Sequence, residues 1–339
     1  MTAQTIIATW FVDDDAADAT FFPQLGARSD DPGAKAVYWR CTAAFYASSL
    51  AHNPDARHVF YTNGLLPVVD GFDIAQAFER WGVDVVTLPI TWRLPAGSVG
   101  SWGNQFYVFD VIAHVAANDP EDRLILLDSD CVWRKPADEM IAAIDREGAL
   151  TYELGFDEHP EGEAINGLSR EAMAKFAARH GGGDAEAVPY CGGEIYAATA
   201  PVNARIARRA SDLWPEIEAG AQDAPREEAH LLSVIYTLEN IAIGTANPFI
   251  RRMWTTFHHN NLAPADRDLA IWHLPAEKRT GFSDLFADVA RNPSRDPRTD
   301  AKAMGLSDYR ISRLMGYPRR SPVKFTRDLA LKIREKAGL

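Results

Sequence analysis

The stretch Arg123-Leu-Ile-Leu-Leu-Asp-Ser-Asp-Cys-Val-Trp133 decides how the rest of this chain is read. Its four consecutive apolar residues, Leu124 to Leu127, predict a strand buried on both faces, as in a parallel sheet. The strand runs into two carboxylates, Asp128 and Asp130, one residue apart. Ligands of α/β sheets gather at the carboxyl ends of strands. Two carboxylates this close are unfavourable there without a cation or a shared proton. Hard oxygen ligands suit Mg2+ or Mn2+, and such ions usually hold substrate phosphates as well. The motif therefore predicts a divalent-metal site for a phosphorylated substrate, with Asp130 the direct ligand and Asp128 either a looser ligand or a contact to the substrate's ribose. The bland alternative is two aspartates that cap the following turn.

Outward from this motif, 339 residues suffice for one large α/β domain with an appendage, or for two domains. An apolar content of 47% and a charged content of 24% are those of a globular chain rather than a disordered one. No apolar run approaches the roughly 18 residues of a membrane span. The first ten residues have neither the basic region nor the cleavage-like site of a signal peptide. Three widely spaced cysteines, Cys41, Cys131 and Cys191, form neither a disulfide framework nor a zinc pattern, and fit a reducing cytoplasm. The net charge of −12 argues against nucleic-acid binding. That charge is uneven: residues 313–339 carry eight Lys/Arg against two Asp/Glu, or +6, which leaves −18 on the remainder.

Strand and helix patterns alternate along the chain. Strands are predicted at Thr5–Val12, Arg57–Thr62, Val83–Leu88, Leu124–Leu127, Ala149–Leu154, Tyr190–Ala198 and Ala270–Leu274. Helices are predicted at Ala34–His52, Ile74–Trp81, Asn104–Ala117, Asp138–Arg146 and Val202–Ala219, with another opening at Pro225–Leu232. Asp157 to Gly167 reads as a polar loop. The alternation implies βαβ units and a mainly parallel sheet flanked by helices, an α/β fold of Rossmann-like type. After Phe282 the chain turns polar. We therefore expect a domain over residues 1–285 and a polar linker with a basic helical tail over 286–339.

In the order of these features the chain resembles the GT-A class of nucleotide-sugar glycosyltransferases. The class has a Rossmann-like sheet, an Asp-x-Asp motif, a glycine-containing acceptor strand and then an acidic helix start. The counterparts here are Asp128-Ser-Asp130, Gly192-Gly193 and Glu228. Among retaining families it is similar to the glycogenin and lipopolysaccharide-galactosyltransferase type. The late His-x-x-Gly-x-x-Lys motif of that type supplies a third metal ligand and a diphosphate contact. His273-Leu-Pro-Ala-Glu-Lys278 stands at the corresponding place, with Ala276 where glycine is expected and Arg279 at the motif's last position. The resemblance implies His273 as third ligand and Lys278 or Arg279 as the cationic diphosphate contact. A second similarity, to the blood-group α-1,3-galactosyltransferase type, rests on Glu228-Ala-His-Leu-Leu232, with Leu232 in place of an asparagine.

The implied activity is transfer of a hexose from a UDP-sugar to a hydroxyl acceptor, assisted by Mn2+ or Mg2+, with retention. Phe11, Val12 and Asp13 stand where the base sits in similar enzymes, and Gln105 could contact donor phosphate or sugar. Glu194 and Glu228 are the carboxylates for work at the anomeric carbon. Each has a structural alternative: Asp13 a strand terminator, Gln105 a solvated first-turn residue, His273 a core histidine, Glu228 a helix N-terminal acid. Trp92, Trp102, Trp133 and Trp254 could line a sugar cleft or belong to the core. His258 and His259 are adjacent, so both on one ion is unfavourable.

Two other functions share the motif. In a haloacid-dehalogenase-type phosphatase Asp128 would be nucleophile and Asp130 general acid/base, although that family places its motif on the first strand. A nucleotide-sugar-binding protein without turnover would account for Ala276 and Leu232. In the tail, Phe325, Leu329 and Ile333 recur every four residues among Lys324, Arg327, Lys332, Arg334 and Lys336. Such a helix suits peripheral contact with an anionic membrane at its inner face, or docking on the acidic body.

Overall fold

The structure is a computed structural model that describes residues 3–154, 163–183 and 188–337, with side chains described to residue 334. Of the expected polar loop, residues 157–162 lie outside the described residues, as does the side chain of Lys336. The strands are β1 (Thr5–Phe11), β2 (Phe21–Phe22), β3 (Ala27–Arg28), β4 (Arg57–Thr62), β5 (Val68–Val69), β6 (Phe72–Asp73), β7 (Val83–Thr87), β8 (Arg123–Leu127), β9 (Cys131–Trp133), β10 (Ala149–Glu153), β11 (Cys191–Ala198), β12 (Gly244–Thr245), β13 (Ile250–Arg252) and β14 (Ile271–His273). The helices are α1 (Pro32–His52), α2 (Ile74–Trp81), α3 (Tyr107–Asn118), α4 (Asp138–Glu147), α5 (Arg170–Arg179), α6 (Ala200–Glu218), α7 (Glu228–Leu238), α8 (Gly281–Ala290), α9 (Pro297–Asp300), α10 (Asp308–Met315) and α11 (Pro322–Ala337).

Seven strands form the central sheet in the order β12-β10-β11-β8-β1-β4-β7. The pairings make β11 the one strand that runs against the other six. The expected α/β fold with a mainly parallel sheet flanked by helices is thus present. Leu124 to Leu127 are buried, as a strand apolar on both faces must be. The long α1 starts at Pro32, behind Asp31, whose side chain caps Ala34 N at 2.8 Å. It packs on β1, and Tyr46 donates a 2.6 Å hydrogen bond to the Val59 carbonyl of β4.

Two short pairings set up the site. Antiparallel β9 and β14 place His273 opposite Cys131, and parallel β13 and β14 place Arg252 opposite His273. On the main sheet, β11 pairs Ile195 with Leu127, so Glu194 comes beside Asp128.

Two expectations need correction. The helix expected from Asn104 begins at Tyr107, because Asn104 spends its side chain on Asp14 at 3.0 Å and residues 103–106 form a turn. The segment after Phe282 is no linker. It carries α8, α9 and α10, whose Leu285, Phe286, Val289, Ile311 and Leu314 are buried, and the expected boundary at 285 falls inside α8. The polar stretches around α9 and α10 made the segment read as polar, although α8 buries Phe282, Leu285, Phe286 and Val289, and α10 buries Ile311, Leu314 and Met315 while leaving Tyr309 exposed.

Candidate active site

At the carboxyl ends of β1 and β8, and at the amino end of the antiparallel β11, lies a cleft of about 520 Å3. Asp128 and Asp130 form its floor, joined there by His273, and one ligand atom from each of the three lies within 4.8 Å of the others. His273 Nε2 is 3.2 Å from Asp130 Oδ2 and 3.6 Å from Asp128 Oδ2. The backbone secures this convergence, since Leu274 N donates to the Asp130 carbonyl at 3.0 Å. Asp128 N likewise donates to the Glu194 carbonyl at 3.1 Å. Lys278 is buried and its ammonium donates to Asp130 Oδ2.

The electrostatics follow from this crowding. Enclosure and the neighbouring Asp130 charge push Asp128 up to about 6. Burial would also raise Asp130, but the Lys278 and His273 cations outweigh it and hold the carboxyl well below its usual range. For His273 burial pulls downward, and Asp130 with Glu194 outweighs it, raising the imidazole to about 9. Two of the protein's own cations therefore neutralise the aspartate pair.

The sequence singled out Glu194 and Glu228 for chemistry, and the structure gives them unlike surroundings. Glu194 is fully buried and takes two bonds from Arg252, at 2.9 and 2.7 Å. Its Oε1 is 3.5 Å from His273 Nδ1, longer than a well-formed hydrogen bond. Burial alone would raise Glu194, but Arg252 and His273 hold it at about 2. It is thus a locked anion behind His273, not a carboxylate free to meet a substrate. Glu228, first residue of α7, lines the cleft with an Oε2 that lacks a hydrogen-bond partner among the described residues. Burial, reinforced by Glu227 and Asp128, pushes its carboxyl well above the usual range. The glycine pair makes room for both carboxylates. A Cβ on Gly193 would lie 2.1 Å from Glu228 Oε1, and one on Gly192 2.3 Å from Glu194 Oε2.

Of the other expected residues, Phe11, Val12 and Gln105 line the cleft. Asp13 does not: it faces outward and pairs with Lys35. Its neighbour Asp14 turns inward instead, fully buried, to meet Arg93 at 2.9 Å and Asn104. Arg279 is also absent from the cleft lining, and its guanidinium donates to the Leu25 carbonyl. Trp102 and Trp254 line the cleft, whereas Trp92 and Trp133 are core. His258 and His259 are exposed and take no part in the metal cluster. Trp10, Tyr38, Asn166, Tyr190, Glu227 and Arg252 also line the cleft without having been singled out. Glu227 accepts from Tyr190 at 2.5 Å and Asn166 at 2.7 Å. Its adjacency to Glu228 at a helix start was the one sequence signal for it.

No protein-family model and no curated protein matches this chain. Among solved structures it is similar to the galactosyltransferase LgtC in complex with donor and acceptor sugar analogs. That match has 14% identity and a TM-score of 0.47, and covers 96% of this chain and 100% of that one. It is also similar to an active-site mutant of LgtC, with 15% identity, 80% and 87% coverage and a TM-score of 0.45. Likenesses this distant bear no weight on activity, and the fold rests on the strand order and directions above.

Proposed function

We propose that this chain is a metal-dependent GT-A glycosyltransferase that moves a hexose from a UDP-sugar to a hydroxyl acceptor, with retention at the anomeric carbon. The observation that carries this reading is the Asp128, Asp130 and His273 group with Lys278, on the floor of a cleft at the carboxyl ends of the sheet. Its two carboxylates and one imidazole are a donor set that suits Mn2+ or Mg2+. His273 and Lys278 already supply positive charge where an ion would, and Glu194 stands behind His273 Nδ1, as partners of ligating histidines do. An ion held by Asp128, Asp130 and a neutral His273 would stabilise the charge that grows on the departing diphosphate. Lys278, released from Asp130, contacts that diphosphate. Phe11, Val12 and Gln105 face the base and sugar of the donor.

Retention is supported by what the carboxylates cannot do. Glu194 is engaged by two bonds from Arg252, and burial raises the Glu228 carboxyl well above its usual range, which disfavours the ionised form a base needs, so neither is suited to take a proton from the acceptor. The acceptor oxygen then bonds to the anomeric carbon as the bond to the diphosphate oxygen breaks, and that oxygen takes the acceptor's proton. The phosphatase alternative needs Asp130 as a proton donor, and Lys278 with His273 holds it ionised.

No described helix is long and apolar enough to cross a membrane. As a second part of the proposal, the protein is cytoplasmic and touches the inner face of the membrane through α11. Phe325, Leu329 and Ile333 on that helix are exposed among Arg327, Lys332 and Arg334. The main reading is tested by nucleoside diphosphate release from a panel of nucleotide sugars with Mn2+. Metal-dependent release supports it; none from any donor contradicts it.

A further inference from the structure

Lys324 of α11 has a side chain only 4% exposed, rare for an ammonium. It donates to Glu277 Oε2 at 2.7 Å and lies 3.2 Å from Asp328 Oδ2. Glu277 is buried as well, and it accepts from Thr255 Oγ1 at 2.6 Å, Thr280 Oγ1 at 2.5 Å and Gly281 N at 3.1 Å. One carboxylate thus ties together the loop after β13, the turn after His273 and the first turn of α8. The residue after Glu277 is Lys278, bonded to Asp130, and the residue before Thr255 is Trp254, in the cleft wall.

The same loop is gripped a second time. Asp328 pairs with Arg320 at 3.0 Å, the Arg320 guanidinium lies 4.2 Å from the Phe257 ring centre, and Phe325 meets that ring edge-on at 5.3 Å. A buried ion pair adds little stability over an apolar contact of the same shape, but it does fix geometry. An apolar pair would have docked α11 equally well, without aligning Thr255, Thr280 and Gly281 on one acceptor.

We infer that α11 completes the active site, with Lys324 a positioning residue that holds the 275–278 turn and the Trp254 loop around the aspartate pair. This rests on the sugar-transfer reading only where turnover is measured.

The test uses full-length protein labelled with 5-fluorotryptophan, its Trp254 19F resonance assigned from Trp254→Phe. In Lys324→Met the Trp254 line should shift or broaden while those of core Trp81 and Trp133 stay in place. The kcat for nucleoside diphosphate release should fall by about tenfold to a hundredfold. Thr255→Val deletes one bond to Glu277 without touching α11, should move the same line, and decides alone if Lys324→Met does not fold. An unmoved Trp254 line with wild-type turnover overturns the inference. So does a common shift of all three lines, which marks general loosening. If even the wild type releases no nucleoside diphosphate, the sugar-transfer reading fails, and the 19F comparison still decides the positioning role.

Discussion

Glu194→Gln separates a positioning carboxylate from a reacting one. The substitution keeps the shape but removes the charge, and it turns one acceptor of the Arg252 fork into an amide facing a guanidinium. Breaking a buried ion pair costs about 3–5 kcal/mol. Arg252 remains 30% exposed, so water recovers part of that, and we expect about 2 kcal/mol in urea unfolding. His273 also loses the anion behind Nδ1, and removal of such partners lowers metal affinity by about 10–100-fold. Calorimetric titration with Mn2+ measures this directly. Because the lesion is in metal retention, saturating Mn2+ should restore most of the turnover. Full stability and full Mn2+ affinity with turnover abolished would refute the reasoning and make Glu194 a reacting group.

Gly193→Ala forces a Cβ to within 2.1 Å of where Glu228 Oε1 now sits, so Glu228 must move. We expect about 1–3 kcal/mol of destabilisation by overpacking and a marked fall in kcat; wild-type values for both would show that the glycine is incidental. Buried His58 accepts from Ser49 at 2.8 Å, and burial pulls its folded pKa to about 4, below the ordinary 6.5. Its contribution is complete above the unfolded pKa and is lost as pH falls through the folded one, which amounts to about 3 kcal/mol. Urea melts at pH 7 and pH 4 should show a loss larger by that amount in the wild type than in His58→Gln, and equal losses would remove His58 from the account. For α11, Leu329→Ser/Ile333→Ser should weaken co-sedimentation with anionic vesicles while leaving the buried Lys324 pair and the Phe325–Phe257 contact in place. Unchanged sedimentation would end the membrane proposal.

The central motif was legible because a buried parallel strand reads as a continuous apolar run and its end is marked by charge. His273 could be found by its place after a late apolar strand. The partner of Glu194 could not, since Arg252 sits on the three-residue β13, too short to show a period. In Asp13-Asp14-Asp15 three identical residues stand in a row, and only the turn of the backbone decides that Asp14 goes inward. The helices after Phe282 were missed because α9 and α10 are short and bury few residues, and their polar surroundings masked the apolar face of α8. The tail forms α11, and a lysine that leaves its polar face to bury itself at Glu277 has no sequence signature.

The central claim is that Asp128, Asp130 and His273 hold the ion that drives loss of the diphosphate. Its most direct test is nucleoside diphosphate release by wild type and Asp130→Ala across a Mn2+ titration, with circular dichroism to confirm the variant's fold. The account predicts metal-dependent release that chelator abolishes in the wild type, and that Asp130→Ala does not regain at any Mn2+ concentration. Metal-dependent turnover by folded Asp130→Ala at the wild-type rate would contradict it.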